Sequence, residues 1–552
     1  MNSFPPAADM NIIAKPIHSQ RSNWLVVVLL ATSIAVFLSI ATWHLREPGI
    51  YYDEALFVNA ALGAKDSDSF VAARVFGTPL MLMPYIGALK AYIYAPIFYL
   101  FGVSATTIRL PAIIIAAATL FVMYLVLSQF TSKISAASFI TLLAVDPPFV
   151  LHVRTDLGPI VLMMALKVMS LYCFLRALST NSWRVFAAGL CCLALGVFDK
   201  LNFVWIIAAL IPAALIYMKP LIVLWRTNKI PMMIVFTTFI GTLSLFILNI
   251  TLPLLRAMSS LKHASTNRIA ELFTLFSGSL SGQFFSSWVF DDPVKVRSFC
   301  PVWIVPFAFI LAIASFHICR RKNQNLEHAT KMFQGVLFFS AFYATLFLEI
   351  MLTPEAHGPH HFMVLWPIHY VIVFLAATMT FLALPTRMIK PAKVLVSLVL
   401  VLWVTTNLSA TLSVITSFGT KQLKSVWSTH IYDLADGLTA IDPKTPIVIF
   451  VDWGLQNQML ALCPPIRNKC MDLWSTFLAA GHDQVSRKQL SRILGVNGSA
   501  VVLFAEGRSP FPENRNRLFE ISGKRHTALN RLIVINDAKG PLYEVYLTDD
   551  NH

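Results

Sequence analysis

Trp24–Trp43 reads WLVVVLLATSIAVFLSIATW, and Ile50–Leu56 follows as IYYDEAL. The first stretch is about 20 residues without a charge, the length that crosses a hydrocarbon core. It is too long for a signal-peptide core, and no small-x-small cleavage pattern follows, so it is expected to persist as a first span. Lys15 and Arg21 precede it. By the positive-inside rule the N-terminus is cytoplasmic, and Asp53-Glu54 emerges on the far side. An acidic pair at a membrane edge is costly unless it binds a ligand or moves a proton. The bland alternative is a helix start, with Asp53 as cap and Glu54 at the positive end of the dipole.

Working outward, the 552 residues are 57% hydrophobic and 13% charged, with mean hydropathy +0.67. A soluble domain is nearer a quarter charged, so the chain is a polytopic α-helical membrane protein. The net charge of +15 falls largely in short loops between apolar runs, which fits anionic membrane lipids and excludes a nucleic-acid partner. Apolar runs near 24–45, 106–128, 134–151, 158–178, 185–198, 203–218, 231–252, 301–318, 332–352, 362–384 and 394–415 predict about eleven spans. Arg320-Arg321-Lys322 and the set Arg387, Lys390 and Lys393 then fall on the cytoplasmic side. Residues 1–23 form a cytoplasmic N-terminal segment, and 24–415 form the membrane domain. Its two long external loops are 46–104 and 253–300. In the first, Leu80–Phe101 is expected as interfacial helix broken at Pro84 and Pro96.

Residues 416–552 change character. Pro446–Val451, Ala500–Phe504, Leu532–Ile535 and Tyr543–Tyr546 read as short buried strands, with helix-like stretches between them. This predicts a small extracytoplasmic α/β domain. Cys463 and Cys470 bracket six residues, close enough for a local disulfide in an oxidising compartment.

The chemistry is sought among charges at the external ends of spans. These are Asp53, Glu54, Lys90, Arg109, Arg154, Asp156, Asp199, Lys200, Arg256, Lys262 and Arg268, with His152, His263, His357, His360 and His361. A carboxylate beside several cations suits one task. The cations hold a phosphate as it leaves, and the carboxylate takes a proton from an incoming hydroxyl. No Walker A loop or dinucleotide fingerprint is present. Each residue has a structural alternative: snorkelling for Lys90, a surface ion pair for Asp199-Lys200, a helix cap for Asp156. No metal or other cofactor is expected, although His357/His360/His361 has a spacing that zinc accepts and Asp291-Asp292 resembles an acidic metal pair. Asp291-Asp292 precedes Pro293 and starts a turn more readily. The rival class is a transporter or flippase for a lipid-linked or anionic substrate. Charges at mid-membrane and repeated halves would favour it, and neither is evident.

Several stretches together resemble the GT-C glycosyltransferases, in the branch of the protein O-mannosyltransferases and the bacterial aminoarabinose transferases of lipid A. They are Asp53-Glu54; Met83–Lys90 running through Tyr99–Ser104 to Ile108–Pro111; Asp146-Pro147 through Arg154-Thr155-Asp156; Leu193–Lys200; and His361–Tyr370. The resemblance implies an inverting transfer of a sugar from a polyprenyl-phosphate donor to a lipid, glycan or protein acceptor. It implies an extracytoplasmic site in a cytoplasmic membrane, here a bacterial inner membrane. It further implies Asp53 as general base, Glu54 as its substrate-positioning neighbour and Asp156 as a second acidic residue. Lys90, Arg154, Lys200 and Arg256 would then serve the donor phosphate or its cavity. His360 and His361 stand where relatives often carry an Arg-Tyr pair.

Overall fold

A computed structural model describes residues 20–63, 71–258, 268–323, 325–353 and 358–550. Lys15, Lys262, His263 and His357 lie outside the described residues. Helix α1 (Gln20–Thr42) leads to the loop 46–104. That loop holds α2 (Tyr52–Ala61), a three-stranded antiparallel sheet β1-β2-β3 (Ala73–Val75, Thr78–Met83, Ile86–Gly87) and α3 (Leu89–Phe101). Thr78–Met83 is therefore strand rather than interfacial helix. Pro79 and Pro84 leave too short an apolar run for helical turns, and only the part from Leu89 onward is helical, with Pro96 inside it. On α3, Lys90, Ala91, Tyr94 and Phe98 are buried, while Tyr99, Leu100 and Phe101 point outward.

The bundle continues with α4 (Ala105–Leu127), α5 (Lys133–Ala144), α6 (Pro147–Thr155), α7 (Val161–Thr180) and α8 (Trp183–Asp199). Next come α9 (Phe203–Ala214), α10 (Met218–Thr227), α11 (Lys229–Phe246) and α12 (Leu252–Met258). The segment after α12 carries α13 (Arg268–Ser281) and α14 (Gln283–Val289). Then follow α15 (Val305–Arg321), α16 (Leu326–Leu352), the single turn α17 (Pro359–Phe362), α18 (Ile368–Ala383) and α19 (Thr386–Ser417).

Among the described residues nine helical stretches are long and apolar enough to span, or ten if α5 and α6 count as one. Two of the eleven expected spans thus differ. The third bends by 61° between α5 and α6, where Pro147 and Pro148 open a new helix behind Asp146. The fifth, α8, has 17 residues; at 1.5 Å per residue it falls short of a ~30 Å hydrocarbon core. Packing ranks the spans. Of the Pro359–Ala383 stretch 78% is buried inside the protein, against 6% for Lys229–Arg256, so α18 is central and α11 faces lipid.

Beyond α19 the chain forms α20 (Ile431–Thr439), then a five-stranded sheet in the order β5-β4-β6-β8-β7. The strands are β4 (Val448–Phe450), β5 (Cys470–Asp472), β6 (Ala500–Phe504), β7 (Thr527–Asp537) and β8 (Gly540–Asp550). β5, β4 and β6 are parallel, and β8 and β7 add antiparallel. Helices α21 (Leu455–Leu462), α22 (Trp474–Ala479), α23 (Gln484–Leu494) and α24 (Pro512–Arg525) connect them. Cys463 and Cys470 are not bridged. The Cys463 thiol lies 3.2 Å from the Thr439 hydroxyl, and Cys470 Sγ donates to the Ile466 carbonyl.

Candidate active site

The two carboxylates of α2 part company at once. Glu54 sits at the third position of the helix, and its Oε2 accepts from the Tyr51 amide at 3.0 Å. Its oxygens also take Arg109 Nε at 2.7 Å and Nη2 at 2.8 Å. Both side chains are 1% exposed. Arg109 further donates to the carbonyls of Leu45, Pro48 and Gly49. Glu54 is therefore a fastener between α2 and α4, with three of its four acceptor positions taken.

Asp53 faces the other way and does not cap α2, whose N-cap is Tyr51. Its Oδ2 accepts from the Gly158 amide at 3.1 Å. Gly158 is the hub of the site. Its carbonyl accepts from Lys200 Nζ, and the His360 ring lies where a Cβ would stand, 2.2 Å away. Its φ of +66° is open to glycine at little cost. One residue thus gathers Asp53, Lys200 and His360 from three distant parts of the chain.

Asp156 holds that loop in shape. With φ 45° it ends α6 in a left-handed turn. Its Oδ1 accepts from the Ile160 and Val161 amides, each at 2.9 Å, as α7 begins. Its Oδ2 meets Lys90 Nζ at 2.5 Å. Lys90 is 3% exposed and lies over the Phe57 ring at 4.6 Å. It is a buried, paired cation and does not snorkel. The loop before α9 is pinned from the β2–β3 side, where the Tyr85 carbonyl accepts from the Leu201 amide at 2.9 Å. Asp199 is buried, and neither carboxylate oxygen has a hydrogen-bond partner among the described residues. His360 Nδ1 is likewise buried without a partner among them.

Arg154 does not join this group. Its guanidinium donates to the carbonyls of Ile40, Ala41, Trp43, His44 and Glu47. Ile40 and Ala41 lie in the last turn of α1 and the other three carbonyls in the segment just after it, so Arg154 closes that helix end instead of facing a donor. Arg256 is exposed on α12. His361 stacks edge-on to Trp205 at 6.1 Å and adjoins His360 at 4.2 Å. Asp291 and Asp292 pair with Lys539 and Lys421, each at 2.7 Å. Among the described residues no group of three or more His, Cys, Asp or Glu side chains is arranged to hold a metal ion.

The electrostatics follow from burial. Desolvation raises the Asp53 pKa above the usual carboxylate range; Lys200, the Gly158 amide and Lys90 oppose that shift and Asp156 adds to it. Glu54, the adjacent carboxylate, is neutralised by Arg109. Lys200 is pushed down to about 8 by burial, against the pull of Asp53, Asp199 and Asp156.

Three residues central to this geometry do not show their partners in the sequence. Gly158 shows only as a glycine before Pro159 near an acid, and Arg109 and Asp199 show only as charges at span ends.

A sequence model of the dolichyl-phosphate-mannose-protein mannosyltransferase family matches residues 87–250. No curated protein matches the chain by sequence. Among solved structures, apo ArnT from Cupriavidus metallidurans superposes with a TM-score of 0.58 at 11% identity, over 96% of this chain and 98% of that one. ArnT from the same organism bound to undecaprenyl phosphate gives 0.51 at 13% identity, over 95% and 98%. The oligosaccharyltransferase of Archaeoglobus fulgidus gives 0.48 at 11% identity, over 97% and 75%. The chain is a multi-pass integral membrane protein with the GT-C fold, shared with ArnT over nearly the whole length of both.

Proposed function

On that fold, we propose that the protein is an inverting glycosyltransferase. It moves a sugar from a polyprenyl-phosphate donor to a hydroxyl of a lipid, glycan or protein acceptor. The observation that carries this reading is the junction at Gly158, whose amide holds the Asp53 carboxylate and whose carbonyl holds the Lys200 ammonium. Asp53 accepts the proton of the acceptor hydroxyl. The acceptor oxygen bonds to the anomeric carbon from the face opposite the phosphate. The anomeric C–O bond breaks, and its electron pair leaves with the phosphate oxygen. Lys200, and His360, whose Nδ1 has no partner among the described residues, would oppose that developing charge. The products are the inverted glycoside, polyprenyl phosphate and a proton on Asp53. Lys90 and Asp156 act through the loop that presents Gly158. Asp199 supplies buried acceptors for sugar hydroxyls.

An apolar cavity of about 620 Å³ suits the prenyl chain; its walls include Phe273, Phe276, Trp303, Phe309 and Phe347. Phe276, one of its walls, packs 5.7 Å from Phe362, which follows His360 and His361 in the chain. ArnT is seen with undecaprenyl phosphate, a ligand of the required class. The active face is placed outside the cytoplasmic membrane, in bacteria the periplasmic face of the inner membrane.

Mass spectrometry of membrane lipids and surface glycans, from cells with and without the protein, tests this. The expected result is a sugar of defined mass missing from one acceptor while its polyprenyl-linked form accumulates. Identical profiles would refute the assignment.

A further inference from the structure

We propose that the C-terminal region completes the acceptor side of the site and that the acceptor presents a sugar ring there. This rests on the glycosyl-transfer reading above and narrows its acceptor. In a parallel sheet, ligands settle beyond the carboxyl ends of the strands. At those ends of β4 and β5 stand Asp452-Trp453 and Asp472, and this edge of the sheet meets the start of α2. Tyr52 stacks on Trp453 at 4.6 Å and 25°, and Tyr51 meets Trp453 edge-on at 6.3 Å. Behind them Tyr51 stacks on the buried Trp427 at 4.0 Å and 9°. Gly454, at φ +86°, would bring a Cβ to 3.5 Å from the Tyr52 ring, so the chain passes close beneath the stack.

This aromatic wall adjoins the proposed base, because Tyr52 precedes Asp53. Tyr52, Asp53, Trp453 and Asp472 are all half-buried, whereas Glu54 and Asp452 are sealed. Asp452 has both oxygens engaged, by the Phe504 amide and the Ser509 hydroxyl. Asp472 accepts from the Trp474 amide at 3.4 Å and acts electrostatically on Tyr52. The seam that fixes the wall is polar and tight. Gln458 Nε2 donates to the Ile50 carbonyl at 2.5 Å, and Asn59 Nδ2 to the Asn457 carbonyl at 2.9 Å.

Flat aromatic faces take up the C–H face of a pyranose, and carboxylates accept its hydroxyls. An extended peptide would add to a sheet edge, but the edge strand here, β5, has three residues. An acyl chain would meet two carboxylates. The ring sugar is the occupant that uses both the stack and the acids.

The test is saturation-transfer NMR on the full-length protein in detergent. The probes are methyl glycosides of glucose, mannose, galactose and N-acetylglucosamine, with a Ser/Thr-containing hexapeptide as comparison. Ring C–H protons of at least one glycoside should saturate. The signal should fall about tenfold in Trp453→Ala, recover in Trp453→Phe and weaken in Asp472→Asn, which leaves the stack intact. A thermal unfolding midpoint for each variant separates loss of binding from loss of fold. No saturation of any glycoside, an undiminished signal in folded Trp453→Ala, or preferential saturation of the hexapeptide would each overturn the proposal. Asp53→Asn should still bind glycoside. Binding without any sugar transfer by the wild type would instead refute the catalytic reading and leave the subsite standing.

Discussion

Asp53 and Glu54 are neighbours in sequence and belong to two different regions of the molecule. Glu54 lies in a seam where every charge is matched: Arg109 answers it in both oxygens, and backbone carbonyls take the remaining guanidinium protons. Asp53 lies in a pocket where charges outnumber hydrogen bonds. Lys200 donates to a carbonyl, while among the described residues the Asp199 carboxylate accepts from nothing and His360 Nδ1 has no partner. Both regions are expensive to desolvate. The seam offsets that cost internally and holds α2 against α4. The pocket leaves it unmet, which is how a preorganised site holds charge for a ligand.

The largest expected effect separates the two directly. Asp53→Asn should fold and insert normally and lose roughly 10²–10⁴-fold in transfer rate, the range for a lost general base. The assay is release of polyprenyl phosphate with acceptor present; near-normal turnover would place the base elsewhere. Glu54→Gln should do the reverse. It strands a buried guanidinium and should cost about 3–5 kcal/mol of stability, seen as a lower unfolding midpoint and poor yield. Pairing it with Arg109→Met should restore part of the midpoint. A Glu54→Gln protein of unchanged stability but no activity would move Glu54 into the pocket and break the comparison.

The next effect is smaller and reads the pocket alone. Asp53 must be ionised to accept a proton, and its pKa is raised by burial. Activity should therefore fall with decreasing pH along a limb above the usual aspartate range. Lys200 must be protonated to oppose phosphate, and its pKa is lowered to about 8. Activity should fall as pH rises through that value, about tenfold between pH 7 and 9 in kcat/KM, which reports the free enzyme. The basic limb should vanish in Lys200→Gln together with most of the rate. An unchanged limb in that variant would assign it to another group.

How much of this was visible beforehand depends on range. The spans show because a run of apolar residues has one physical use at that length. The bend at Asp146 does not, since two prolines can equally begin a helix or end one. Thr78–Met83 is too short for its periodicity to separate strand from helix. The three-residue β5 (Cys470–Asp472) lacks even that signal. In the pocket, Lys90, Asp156 and Lys200 are conspicuous as charges at span ends. Their partners are set by tertiary approach, so Arg154 looks like a phosphate ligand until five carbonyls at the end of α1 and just beyond it claim it. Gly158 carries no side chain to notice, and its role lies wholly in its amide, its carbonyl and the space above its Cα.

The smallest effect sharpens the comparison by holding distance fixed. Lys421 and Asp292 approach to 2.7 Å, as Arg109 and Glu54 do, yet their side chains are 38% and 88% exposed instead of 1% each. Water screens the exposed pair, and ordering two mobile side chains offsets much of the attraction. Lys421→Ala should therefore change stability by no more than about 1 kcal/mol, and added salt should erase even that. The Glu54→Gln defect should persist at the same ionic strength, because ions do not reach a sealed seam. Equal salt dependence in the two variants would mean that water enters between α2 and α4, and the contrast between seam and pocket would no longer account for a structural Glu54 beside an Asp53 proposed as the base.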